Sequence, residues 1–132
     1  DLKNLLNNSD FITLHVPLLE STRHLIDEKE LQQMKKTAFL INTSRGAVIN
    51  ENVLHKALEE KWIAGAGLDV YENEPIITKG LMNCDNVILT PHIGSGSIET
   101  RTKMGYIAVE NAIAIINNKE PLHIVNREVY GR

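Results

Sequence analysis

Two hydrophobic periods alternate along this chain. Phe11-Ile12-Thr13-Leu14-His15-Val16 is a short, β-branched apolar run that enters after Asn7-Asn8-Ser9-Asp10 and stops at Pro17, the pattern of a buried strand. Upstream, Leu2-Lys3-Asn4-Leu5-Leu6 has the spacing of an amphipathic helix already in progress. Asp27 starts a helix, with Glu30 placed to complete a capping box and Leu31 and Met34 on the apolar face. Ala38-Phe39-Leu40-Ile41 reads as a second strand, ending in the turn Asn42-Thr43-Ser44-Arg45-Gly46. Asn50 caps the next helix, where Val53, Leu54, Ala57 and Leu58 share one face and Glu51, Lys56, Glu59 and Glu60 take the wet side. Ile63 to Val70 forms a third strand whose Ala64, Gly65, Ala66 and Gly67 let a helix or ligand approach the backbone. A loop carrying Glu72, Glu74 and Pro75 precedes a fourth strand, Val87-Ile88-Leu89. From Ser97 a helix runs to about Asn117, with Ile98, Met104, Ile107, Ala108, Ile113 and Ile116 periodic.

Strands that alternate with helices in this way predict an α/β fold, a parallel sheet wrapped by helices. With 132 residues and 42% hydrophobic side chains, the chain carries the core of one ordinary domain. Eight glycines and four prolines are too few for a collagenous or low-complexity polymer. A net charge of −3 offers no basic surface for phosphates, so neither nucleic acid nor a membrane is an expected partner. Cys84 stands alone and forms no internal disulfide, which suits a reducing compartment. The longest strictly apolar run, Ala112 to Ile116, is far below a bilayer span, and no charged-then-apolar leader opens the chain. A cytoplasmic protein is expected. The first residue is Asp1 and not Met, which reads as a fragment of a longer polypeptide.

In open parallel sheets ligands collect at the carboxyl ends of the strands. Four groups follow those ends here: His15-Val16-Pro17, Thr43-Ser44-Arg45-Gly46, Asp69 with Glu74 beyond it, and His92-Ile93-Gly94-Ser95. An arginine, two carboxylates and a histidine on one edge can bind an anion and move a proton. Each also has a plain structural reading: Asp69 as a strand-end cap, and Glu72 and Glu74 as a solvated acidic loop. Gly94-Ser95-Gly96-Ser97 fits either a phosphate cradle at a helix N-terminus or an ordinary turn and cap. His15, His24, His55 and His123 read as packing or surface residues. The five histidines show no H-x-x-x-H or Cys/His pairing, so no metal site is expected.

Three stretches carry a resemblance: Asn42-Thr43-Ser44-Arg45-Gly46, Gly65-Ala66-Gly67-Leu68-Asp69-Val70-Tyr71-Glu72-Asn73-Glu74-Pro75, and Pro91-His92-Ile93-Gly94-Ser95. Together they resemble the D-isomer-specific 2-hydroxyacid dehydrogenases. The likeness runs in family order from His15-Val16-Pro17-Leu18 to Ile124-Val125-Asn126-Arg127, nearly the whole chain. Arg45 precedes Glu74 by 29 residues and Glu74 precedes His92 by 18, similar to the family's catalytic Arg, Glu and His. The closing segment and Trp62-Ile63-Ala64-Gly65-Ala66-Gly67 look most like the glyoxylate and hydroxypyruvate reductase branch.

The resemblance implies a partial Rossmann-like, doubly wound sheet: residues 1–96 as an incomplete dinucleotide-binding domain, and 97–132 as a connecting helix and tail leading to a substrate domain. It implies hydride transfer between NAD or NADP and a small 2-oxo or 2-hydroxy acid, by a protein that is a homodimer when complete. His92 would donate the proton that the developing alkoxide needs, and Glu74 beside the ring would favour the imidazolium. Arg45 would hold the substrate carboxylate and polarise its carbonyl. Asp69 and the Thr43 backbone would accept the nicotinamide carboxamide N–H bonds, with Val16 and Pro17 against the adenosine. Ser44, Arg45, His92, Gly94 and Ser95 complete the cofactor-facing set.

No G-x-G-x-x-G follows a strand, whereas the family carries that pyrophosphate loop upstream, together with the residue that selects between NAD and NADP. The chain alone is therefore expected to be inactive. Gly96 also stands where relatives often have alanine. Two rivals remain. One is an NAD-sensing binding protein that resembles the C-terminal-binding-protein corepressors. The other is a flavodoxin-like or receiver-like module with Asp69 at its acidic strand end, which leaves Arg45, Glu74 and His92 unexplained.

Overall fold

In the computed structural model, which describes residues 1–129, helices and strands alternate as the hydrophobic pattern predicts. In the helix α1 (Leu2–Asn8) the Asp1 carboxylate accepts the Asn4 N–H at 2.8 Å. Asp27 and Glu30 form the expected capping box at the head of α2 (Glu28–Gln33), and Asn50 caps α3 (Glu51–Glu59) through the Val53 N–H.

The strands are β1 (Phe11–Leu14), β2 (Phe39–Asn42), β3 (Gly65–Leu68) and β4 (Val87–Leu89). They pair in parallel in the order β1-β2-β3-β4. Two are shorter than the sequence pattern suggests. The first ends at Leu14 and not at Val16, because Leu14 opposite Asn42 is the last register pair before the chain turns off toward Pro17. The third keeps only Gly65–Leu68 of the run from Ile63 to Val70, since only those residues face the four of β2. Its small residues serve the sheet: a Cβ on Gly65 would press on the Phe39 ring at 3.0 Å and on the Asn86 carbonyl oxygen at 2.6 Å.

Strand alternation sorts the side chains. Ile12, Leu14, Leu40, Ala66 and Leu68 point to one face and form a single core with Leu6 of α1, Leu31 of α2 and Leu54, Ala57 and Leu58 of α3. Each new strand is added on the same side of the last, and right-handed crossovers then bring the helices to this one face. Phe11, Phe39 and Ile88 lie on the other face, where the two phenylalanine rings stack with centroids 5.5 Å apart. One residue departs from the helical pattern. Glu51, expected on the wet side of α3, is 1% exposed and lies inside the molecule.

The chain divides into two compact units, Asp1–Gly94 and a second that begins at Ser95. In the second, Ser97 caps α4 (Ile98–Ile116) by accepting the Thr100 N–H at 3.1 Å. The tail folds back on this helix, with Asn111 accepting the His123 N–H at 3.3 Å. Among the described residues no helix is long and apolar enough to cross a membrane.

Candidate active site

A parallel sheet delivers the carboxyl ends of all its strands to one edge. At the end of β2 the chain must turn sharply, and Asn42, 1% exposed, directs the turn. Its Oδ1 accepts the Ser44 N–H at 3.1 Å and the Ser44 hydroxyl at 2.9 Å, while its Nδ2 donates to the Arg45 carbonyl at 2.9 Å. Ser44 is thus spent on the turn. Arg45 emerges exposed, one Nη1 bond going to the Ser44 carbonyl at 2.7 Å and the rest of its fork left for a ligand. Between His15-Val16-Pro17-Leu18 and Thr43-Ser44-Arg45 opens a cleft of about 520 Å³.

Asp69 directly follows β3 and is 6% exposed. Its Oδ1 accepts the Thr90 hydroxyl at 2.6 Å and the Ile93 N–H at 2.9 Å, and its Oδ2 accepts the Gly94 N–H at 2.8 Å. The Thr90 bond, with the two backbone donors and the nearby His92 ring behind it, holds the Asp69 carboxyl below the ordinary value despite opposing desolvation. These bonds staple the turn after β4, within which His92 stands in left-handed backbone at φ 52°. A side chain held there costs about 1 to 3 kcal/mol, and the Asp69 bonds on either side offset it.

Glu74 meets His92 at that turn. Its Oε2 lies 2.8 Å from the His92 Nδ1, and its Oε1 accepts the Tyr71 N–H at 3.0 Å. The hydrogen bond to His92 is the leading cause that lowers the Glu74 carboxyl, followed by the Tyr71 N–H, and the Arg45 charge adds to the effect. Arg45, Glu74 and His92 therefore share one electrostatic neighbourhood. A smaller pocket of about 260 Å³ lies against the pair, between Tyr71, Glu74, Pro75, Ile77, Pro91 and His92. A wider cleft, of about 560 Å³, opens near Cys84 and Asn86, toward the amino ends of the strands.

The structure thus brings Arg45, Asp69, Glu74, His92 and Gly94 to one edge, with Val16, Pro17, Thr43 and Ser44 lining the adjoining cleft. Ser95 belongs to the second unit, where Ser97 acts as a helix cap. Of the histidines read as surface or packing residues, His55 lies 3.5 Å from Glu59 and His15 touches Thr13. His24 does more: its Nε2 lies 2.7 Å from Glu72, so that Glu72 and Glu74 of one loop each hold a histidine.

Several supporting residues escaped the sequence reading. Tyr71, buried, donates its hydroxyl to the Thr90 carbonyl at 2.8 Å, and burial, ahead of the charges of Asp69, Glu51 and Glu74, pushes its phenol up. Asn42 carried a readable signal, a polar residue at an inward position of the alternation, in register between Leu14 and Leu68. Glu51 carried none.

A family model described as D-isomer specific 2-hydroxyacid dehydrogenase, NAD binding domain, matches residues 1–94. The chain is 52% identical over 129 residues to the glyoxylate reductase of Korarchaeum cryptofilum and 53% identical over 129 residues to that of Thermococcus litoralis. These alignments cover 97% and 98% of the chain but only 39% of each relative. Among solved structures it is similar to the NADPH-dependent glyoxylate/hydroxypyruvate reductase of Sinorhizobium meliloti in complex with NADP and malonate. There the TM-score is 0.91 at 35% identity, covering 99% of this chain and 41% of that one.

Proposed function

Because the chain belongs to the D-isomer specific 2-hydroxyacid dehydrogenase family through that family's NAD binding domain, we propose that it forms the cofactor side of a reductase acting on a small 2-oxo acid, glyoxylate or hydroxypyruvate, with NAD or NADP as the nicotinamide. The observation that carries this reading is the 2.8 Å Glu74–His92 pair on the same strand edge as the free fork of Arg45. A bound, reduced nicotinamide supplies the hydride that the carbonyl carbon accepts.

The residues present suit such a group. Asp69 accepts three hydrogen bonds within the chain, and a carboxylate has about four acceptor positions, so one remains for an amide N–H such as the nicotinamide carboxamide. Thr43 lines the adjoining cleft, where Val16 and Pro17 offer apolar cover. Arg45 holds the substrate carboxylate with charge-assisted bonds and draws electron density from the carbonyl oxygen. Glu74 occupies the Nδ1 of His92, which leaves Nε2 to deliver a proton to the alkoxide. In the reverse direction the same nitrogen takes the proton from the hydroxy acid.

The reading includes a complete protein that is a cytoplasmic homodimer with no nucleic-acid or membrane partner, supported by the family likeness and the net charge of −3. Steady-state reduction of glyoxylate and hydroxypyruvate by the complete polypeptide, with NADH and with NADPH, tests it. Turnover is expected, and His92→Ala lowers kcat by about a hundredfold, the scale of lost general acid catalysis. Absence of turnover with either acid overturns the proposal.

A further inference from the structure

A glutamate at the first position of a helix normally faces water, yet Glu51 at the head of α3 is 1% exposed. The helix N-terminus favours its negative charge, and both of its carboxyl oxygens are engaged. Oε1 accepts the Glu72 N–H and Oε2 accepts the Thr78 hydroxyl at 2.6 Å. Both donors belong to the loop that leads from β3 toward β4. Between them Asn73, Glu74, Pro75 and Ile76 are exposed, so the tip of that loop has little packing of its own. Glu51 grips it on both sides of the tip.

What the grip holds is the platform of the Glu74–His92 pair. Glu74 returns its Oε1 to the Tyr71 N–H, one residue from the N–H that Glu51 binds, and gives its Oε2 to His92. The same Tyr71–Glu72 peptide lies so close to Gly46 that a Cβ there would overlap the Tyr71 carbonyl. The segment that presents Arg45 and the segment that presents Glu74 are therefore locked together, and Glu51 supplies the side-chain part of the lock. We propose that Glu51 is a positioning residue that fixes Glu74 against His92 through the Glu72 N–H and the Thr78 hydroxyl. This rests on the reading of Glu74 and His92 as the proton-delivering pair.

The test uses the complete polypeptide with Glu51→Ala, Glu51→Gln and Thr78→Val. Glu51→Ala removes both bonds. Glu51→Gln keeps them, its amide oxygen accepting from Glu72 and its amide nitrogen donating to the Thr78 hydroxyl. Glu51→Ala is expected to lower kcat for glyoxylate reduction by about tenfold or more with KM little changed, as a misplaced catalytic group does. It also changes the pH profile of the rate, since a displaced Glu74 no longer faces the ring. Arg45 and Asp69, the other charges at the pair, are kept in every variant. Glu51→Gln restores both properties. NMR titration of the His92 ring in histidine-labelled protein reads the same displacement without turnover, so it stands even if glyoxylate proves not to be the substrate. A folded Glu51→Ala protein with the parent's ring titration overturns the proposal, as does a Glu51→Gln shift equal to that of alanine. If Glu51→Ala does not fold, Thr78→Val at a half-buried site must show a smaller shift in the same direction, and coincidence with the parent overturns the proposal equally.

Discussion

His92 and Glu74 are 18 positions apart in the sequence and 2.8 Å apart in space. At the scale of residues, that contact makes a pH argument testable. The bond to His92 is the leading cause that lowers the Glu74 carboxyl, so Glu74 holds the ring as a carboxylate down to that lowered value and loses the charge as pH falls through it. Glu74→Gln keeps the shape and removes the charge at every pH. The parent is therefore expected to lose rate in both directions as pH falls through the Glu74 value, and the glutamine variant, already without the charge, to lack that limb. Rate profiles in both directions check this, and superimposed curves for variant and parent would remove the pairing from the mechanism. The residue types and order of this site were legible in the sequence because the motifs carry them. The hydrogen bonds were not: nothing in the spacing says that Ser44 is consumed by Asn42, or that Glu72 holds His24.

At the scale of elements, the turn after β4 depends on Asp69 after β3. Asp69→Asn would set an amide N–H₂ against the Gly94 N–H or one of the Oδ1 donors, leaving a part-buried donor unmatched at a cost of about 1 kcal/mol. The lowered Asp69 carboxyl also has a pH signature. Its stabilisation is fully present above the ordinary value of 3.8 and is lost as pH falls through the lower folded value. Resistance of the parent to urea is therefore expected to weaken as pH falls from 3.8 through that lower value, and the asparagine variant lacks this share of the loss. Equal midpoints for the two proteins near neutrality would refute the staple. Helix starts were readable from sequence because a cap acts within three residues, as Asp27 with Glu30 does. Strand lengths were not, since pairing ends where a neighbour ends: β1 stops at Leu14 although apolar residues continue to Val16.

At the scale of the whole molecule, the sheet has an apolar face that the core does not use. Phe11 is 69% and Ile88 72% exposed, Phe39 stacks on Phe11, and β1 forms a sheet edge. A patch of this kind beside an unpaired edge favours association. The 132-residue chain by itself is expected to self-associate as its concentration rises, and Phe11→Thr with Ile88→Lys to reduce this; light scattering checks it, and a monodisperse monomer of the parent chain at all concentrations would count against it. The sequence by itself determined the α/β alternation, the caps of α2, α3 and α4, the residue types of the candidate site and the family, because each is written in neighbouring residues or in a motif. Tertiary structure alone decided that Glu51 went inside. Glu51 has the sequence context of a solvent-facing helix residue, and it is buried because a loop whose first donor lies 21 residues later returns two donors to its carboxylate. Burial of a charge depends on what meets it in space, and no local pattern of hydrophobic and polar positions records that meeting.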